Sequence, residues 1–206
     1  ADRYKGFVYP ALGLHPGNLG DAAHQEAALR LIESNLERVV AIGEIGLDYH
    51  YRDARKSEDV KEAQRRAFQR ALILARDSGK PALIHSRGSW QDCVTLARDL
   101  KVTKAVFHWY SGSSEVLQQI MAASYFVSAT PAAEYSQAHR EALLQVSMES
   151  LLLETDSPVV YKGVAAEPAH VLKSLAAVSA LKGLSADAVA KMTTGNAQLL
   201  FRIETN

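Results

Sequence analysis

At 206 residues, with an apolar fraction of 48%, the chain can bury the core of one large domain or two small ones. Lys+Arg and Asp+Glu balance at 23 each, which excludes a binder that grips nucleic acid through bulk positive charge, so a polyanionic substrate must be held by a local patch or by metal. The single cysteine, Cys93, excludes an internal disulfide and a cysteine-rich zinc site.

The longest apolar runs fall far short of a membrane span, and no charged-then-apolar leader opens the chain. The composition predicts a soluble, cytoplasmic α/β protein with no membrane contact and no obligate protein partner. Taken in chain order, a first strand runs through Phe7 and Val8 to His15. A helix over 21–37 follows, with Ala27, Ala28, Leu31, Ile32 and Leu36 at helical spacing. Strand 39–44 precedes a long helix, 58–78, with Ala67, Phe68, Ala71, Leu72 and Ala75 on one face. Gly79 stops that helix and Pro81 starts the next strand. A helix over 89–100, strand 104–108, a helix from Ser113 to about 123, strand 125–129, a helix over about 137–146 and strand 150–155 come next. Helices over about 168–182 and 185–202 close the chain. Strand and helix alternate with no low-complexity linker, which predicts one α/β domain over 1–206 with a parallel sheet. Six strands are visible, whereas a TIM-type (β/α)₈ barrel has eight and typically ~250 residues. The expectation is a barrel with its first two βα units, roughly 50 residues, outside this chain.

The chemistry concentrates at the carboxyl ends of the strands, where parallel α/β folds place their sites. His15, Glu44, His85, His108 and Asp156 each close or follow an apolar run. Glu44 stands in Gly-Glu-Ile-Gly-Leu-Asp-Tyr, where flanking glycines let the backbone approach a ligand closely and turn sharply. Its two oxygens can bridge two cations, and the structural alternative is a capping or salt-bridge glutamate. A lone strand-end histidine is more often a satisfied core group. Two of them, His85 and His108, 23 residues apart on neighbouring strands with a carboxylate nearby, form an ordinary shell for a divalent ion. Arg87 is either a surface ion pair or a fork that grips a phosphate. Asp156, in Asp-Ser-Pro, is either a turn residue or a ligand that takes a proton from water. Glu154 lies on the same strand face and suits either a carboxylate that supports a ligand or one in the barrel interior. His24, His139 and His170 are expected to face solvent, Cys93 to pack in the core, and Asn196 to be structural.

In combination, Ala-Leu-Gly-Leu-His-Pro, Ala-Ile-Gly-Glu-Ile-Gly-Leu-Asp-Tyr, Pro-Ala-Leu-Ile-His-Ser-Arg, Val-Phe-His-Trp-Tyr-Ser-Gly-Ser and Leu-Leu-Leu-Glu-Thr-Asp-Ser-Pro resemble the TatD-type metal-dependent deoxyribonucleases of the amidohydrolase superfamily. The resemblance covers about residues 6 to 201. It implies a (β/α)₈ barrel with two divalent ions (Mg, Mn or Zn) and hydrolysis of DNA, typically as an exonuclease. By motif, Glu44 matches the shared metal ligand, His85 and His108 the ligands of one metal, Asp156 that of the other, and His15 a histidine near the site. The His-x-His pair of the family's first strand has no match in this chain, the usual Cys-Phe after the second histidine is Trp109-Tyr110, and the polar stretch before Glu-Pro is Val164-Ala165-Ala166. A lactonase- or phosphotriesterase-type hydrolase on the same barrel, and a non-catalytic remnant, are the alternative readings of the residues.

Overall fold

A computed structural model of the chain describes residues 1–204. It divides into two compact units, Ala1–Val106 joined by the segment from Leu200 onward, and Phe107–Leu199.

The first unit carries β1 (Ala11–Leu12), α1 (Ala22–Glu33), β2 (Ala41–Asp48), α2 (Arg52–Lys56), α3 (Glu58–Ser78), β3 (Ala82–Arg87), α4 (Trp90–Asp99) and β4 (Ala105–Phe107), which ends at the unit boundary. Strands β1, β2 and β3 pair side by side in parallel. Ala41, Ile42, Ile45 and Leu47 of β2 are fully buried, because a parallel strand covered on both faces needs a nearly continuous apolar run. The expected face of α3 is the one that packs: Ala67, Phe68, Ala71, Leu72 and Ala75 are buried. The hydroxyl of Ser57 accepts from the Val60 N–H to start this helix, and Gly79, at φ 67°, ends it in a left-handed cap.

Three expectations are corrected in this unit. The first strand is only two residues long, and Phe7 is 83% exposed. Pro10 brings no N–H to a ladder, although its carbonyl accepts from Val40. Helix α1 stops at Glu33 and buries Leu29 and Ile32, while Leu31 is left exposed. The sequence offers two apolar stripes there, and the packed one is centred on a different edge. Helix α2 was missed because Arg-Asp-Ala-Arg-Lys has no apolar periodicity to detect.

The second unit carries α5 (Ser114–Ala122), β5 (Phe126–Ala129), α6 (Gln137–Gln145), β6 (Leu151–Leu153), β7 (Val160–Tyr161), β8 (Val164–Ala165), α7 (Val171–Lys182) and α8 (Ala186–Phe201). Strands β5 and β6 are parallel. Strands β7 and β8 form an antiparallel hairpin turned by Lys162 and Gly163, both at positive φ, 48° and 85°. Such a two-residue turn matches the twist of its strands, but strands this short leave no sequence pattern. Asn196 of α8 donates to the carbonyls of Met148 and Leu151, at 2.7 and 2.8 Å, and so pins the helix to the start of β6. His139, expected to face solvent, is fully buried. One ring nitrogen, Nδ1, lies 2.7 Å from the Tyr110 carbonyl, and Nε2 accepts from the Thr130 N–H at 3.2 Å. It lies three and four residues before the buried Ala142 and Leu143, on the inner face of α6. Burial pushes its pKa down, so the ring is neutral. Among the described residues no helix is long and apolar enough to cross a membrane.

Candidate functional site

In the first unit the site is built on β2 and β3. The pairing runs Gly43 to Leu83 and then Ile45 to Ile84, so Glu44 falls in a bulge and is left out of the ladder. Strand β2 continues to Asp48, so Glu44 lies within the strand and not at its end. The glycines around it act differently from expectation. A Cβ on Gly13 would collide with the Glu44 carbonyl, and one on Gly46, at φ 151°, would fall on the His85 carbonyl. What approaches closely is neighbouring backbone, which holds the bulge.

Asp48 decides what His85 can do. Its side chain is 1% exposed, and its Oδ2 lies 3.2 Å from His85 Nε2 and 2.9 Å from Arg87 Nε. Its Oδ1 accepts from the His50 N–H at 2.8 Å. Burial pushes this carboxyl up, but hydrogen bonds from His85, Arg87 and the His50 backbone outweigh it and hold the pKa at about 2. A carboxylate against Nε2 keeps the imidazole proton there. The Nδ1 lone pair is then directed at Glu44, whose Oε2 is 3.8 Å away. This carboxylate–histidine relay is the arrangement that orients a metal-binding imidazole. Asp48 was not singled out in the sequence, although its even spacing from Glu44 places it on the same strand face.

His15 has the opposite tautomer. Its Nδ1 accepts from the Gly17 N–H at 3.0 Å, so in the neutral ring the proton sits on Nε2, 3.8 Å from Glu44 Oε2. His15, Glu44 and His85 offer ligand atoms within 4.8 Å of one another, and the His15 and His85 rings are 4.5 Å apart. The hydrogen bonds nonetheless separate the two imidazoles: His85 presents a lone pair and His15 presents a donor. Arg87 is half-exposed, with its guanidinium 5.2 Å from the Tyr51 ring and its Nε bound to Asp48. It is a structural partner of Asp48 before it is anything else.

In the second unit the candidates lie beyond their strands. His108 directly follows β4 and is buried, and Trp109 after it has φ 45°. Asp156 comes three residues after β6 and has φ 50°. Left-handed backbone at non-glycine residues is uncommon, tolerated by Asp and unfavourable for Trp. A ligand atom of His108 and one of Asp156 lie within 4.8 Å of each other. The Nδ1 of His108 is 3.6 Å from Glu154 Oε1, an ion-pair contact and not a hydrogen bond. The same oxygen accepts from the Ser128 hydroxyl at 2.5 Å and from the Trp109 N–H at 3.0 Å. Burial pushes Glu154 up, yet the charge of His108, its contact and the two donors hold the pKa below the usual carboxylate value. Glu154 thus supports His108, although it lies just past β6 and not on a strand face as expected. The loop that carries Asp156 is clamped by Ser157 Oγ on the Ala166 carbonyl, 2.8 Å, and by Tyr161 Oη on the Thr155 carbonyl, 3.1 Å. Cys93 is buried, its thiol pushed up to about 12 by desolvation, which agrees with a core side chain.

In the first unit Glu44 and His85, with the His85 lone pair preset by Asp48, are a carboxylate and an imidazole of the kind that can hold a Zn, Mn or Mg ion, and in the second unit His108 and Asp156 are another such pair. A profile of the family described as TatD related DNase matches residues 1–202. An uncharacterized metal-dependent hydrolase of Bacillus subtilis is 31% identical over 205 residues, covering 96% of this chain and 78% of its own length. The deoxyribonuclease TATDN3 of Homo sapiens is 34% identical over 211 residues, covering 98% and 77%. The crystal structure of a TatD homologue from Escherichia coli is similar with a TM-score of 0.86 and 27% identity, over 98% of this chain and 80% of its own. The fold class is therefore α/β of the TIM-barrel type, as the sequence implied.

Proposed function

The chain belongs to the TatD-related DNase family and is a metal-dependent hydrolase, and we propose that the bond it cleaves is a DNA phosphodiester, attacked from a strand end. In this reading Glu44, His85, His108 and Asp156 would hold the divalent metal, which would supply Lewis acidity to the reacting phosphate. The observation that carries it is the Glu44–His85–Asp48 arrangement, in which a buried, ionised carboxylate sets an imidazole lone pair toward a second carboxylate.

A bound divalent ion supplies charge to a phosphoryl oxygen and lowers the pKa of water from ~15.7 toward ~7. The chain's own residues supply the rest. Asp156 accepts the proton of the attacking water as its oxygen joins phosphorus and the bond from phosphorus to the departing sugar oxygen breaks. Asp48 keeps the His85 proton on Nε2, so Nδ1 would present its lone pair to a metal ion. His15, with its proton on Nε2, donates to a phosphate oxygen. Arg87, fixed through Nε by Asp48, turns the rest of its guanidinium to the substrate backbone.

The test is release of nucleotides from an end-labelled single-stranded oligonucleotide with added Mn²⁺. DNA cleavage should slow steeply between 50 and 200 mM salt, conditions under which phosphate contacts are lost. Salt-insensitive hydrolysis of a lactone or phosphotriester, with no nucleotide released, would replace this reading by that of a small-molecule hydrolase.

A further inference from the structure

The second unit holds a cavity of about 160 Å³ lined by Pro131, Tyr135, Tyr161, Lys162, His170 and Lys173, with Glu134 and Val164 at its edge. None of these residues belongs to the proposed ligand set. One wall is rigid. Tyr161 is 8% exposed, its ring packs 5.3 Å from Trp109, and its hydroxyl holds the Thr155 carbonyl directly before Asp156. It clusters with Ala132 and Ala166. The other walls are cationic and accessible. Lys162 stands at the tip of the β7–β8 turn with Nζ 4.3 Å from the centroid of the exposed Tyr135 ring. Lys173 lies in the first turn of α7. Against these stand Glu134, which is exposed, and Glu167, which is 3.8 Å from His170. In a chain of zero net charge, two ammonium groups around an aromatic ring, against one carboxylate in the lining, form a local cationic patch.

Cations that follow a backbone, together with a ring on which a base can stack, are how single-stranded nucleic acid is held without sequence readout. The volume is well below the ~300 Å³ at which pockets for drug-sized ligands begin, so the occupant is one unit of a larger molecule. Trp109 and Thr155, which touch the rigid wall, neighbour His108 and Asp156 in sequence. We infer that this cavity is a subsite for one nucleotide of single-stranded DNA beside the cleaved bond, its phosphate between Lys162 and Lys173 and its base or sugar against Tyr135. This rests on the reading of the chain as a deoxyribonuclease.

The experiment measures binding of a 5′-phosphorylated thymidine dinucleotide and of inorganic phosphate to the full chain in EDTA, so no cleavage occurs. The dinucleotide should bind more tightly than phosphate. Lys162→Ala with Lys173→Ala should weaken it by about tenfold or more, and Tyr135→Ala by about tenfold. In the metal-loaded protein the double variant should raise KM for an oligonucleotide and leave kcat, and hydrolysis of bis(p-nitrophenyl) phosphate, unchanged. Equal dinucleotide binding by wild type and double variant, or binding no tighter than that of phosphate, would overturn the subsite. Dinucleotide binding that the variants abolish, in a protein that cleaves no DNA, keeps the subsite and retires the deoxyribonuclease reading instead.

Discussion

In the unit Ala1–Val106 the candidate ligands sit inside regular strands, whereas in Phe107–Leu199 they lie past their strands, on or next to left-handed residues. In the first set the β2–β3 ladder orients His85, Glu44 sits in a bulge of the same strand pair, and one further device, the buried Asp48, chooses the His85 tautomer. The second has no ladder at Asp156, so its loop is held by side-chain bonds from Ser157 and Tyr161, and His108 rests on a carboxylate that is a quarter exposed. A strand fixes where a side chain points. A loop has to be fixed piece by piece, and each bond in it is a separate point of failure.

The largest effect expected from breaking this comparison is at Asp156. Asp156→Asn should lower kcat by about 10²–10⁴, the usual contribution of a general base, with folding unchanged by circular dichroism. Unchanged activity would remove the proton-accepting role.

The two supporting carboxylates come next. Asp48→Asn should weaken metal binding by about 10–100-fold in a calorimetric Mn²⁺ titration. Glu154→Gln should fall at or below the lower end of that range, because solvent can replace part of what it provides. Equal losses would erase the distinction between a buried relay and a partly exposed one.

Acid should loosen the second unit through His139. Burial holds its folded pKa below the ordinary histidine value of 6.5, so the unfolded chain takes up the proton first. The stability contributed by the neutral ring is present above about pH 6.5 and is lost as pH falls through that value toward the folded pKa. Amide protection in α6 and β5 should therefore drop between pH 7 and pH 5. Protection that does not change would mean that His139 is not the buried neutral group described.

The smallest effect tests the packing of α1. Leu31→Gln should change stability by no more than about 0.5 kcal/mol, while Ile32→Ala on the buried face should cost about 2–5 kcal/mol. Denaturant midpoints of the two variants decide it.

Strand–helix alternation and the inner face of α3 were legible in the sequence because period is a local property, and motif alone singled out Glu44, His85, His108 and Asp156 as candidates. What was not legible depends on register and burial. The place of Glu44 inside β2 follows from a bulge that only pairing with β3 reveals. Asp48 lies beyond the strand expected over 39–44, and only its 1% exposure and its contacts with His85 and Arg87 show its role. His139 lies among polar neighbours in α6, and its inward direction depends on where the helix is docked. The β7–β8 hairpin has two residues per strand, too few to carry a pattern.

The central claim is metal-dependent phosphodiester hydrolysis through Glu44, His85, His108 and Asp156. Its most direct test is the rate of nucleotide release from a labelled single-stranded oligonucleotide as Mn²⁺ is added back to EDTA-treated protein, for wild type beside the His85→Ala, His108→Ala double variant. The account predicts no release in EDTA, saturable recovery in the wild type and none in the variant. Release that persists in EDTA, or equal recovery in the variant, would contradict it.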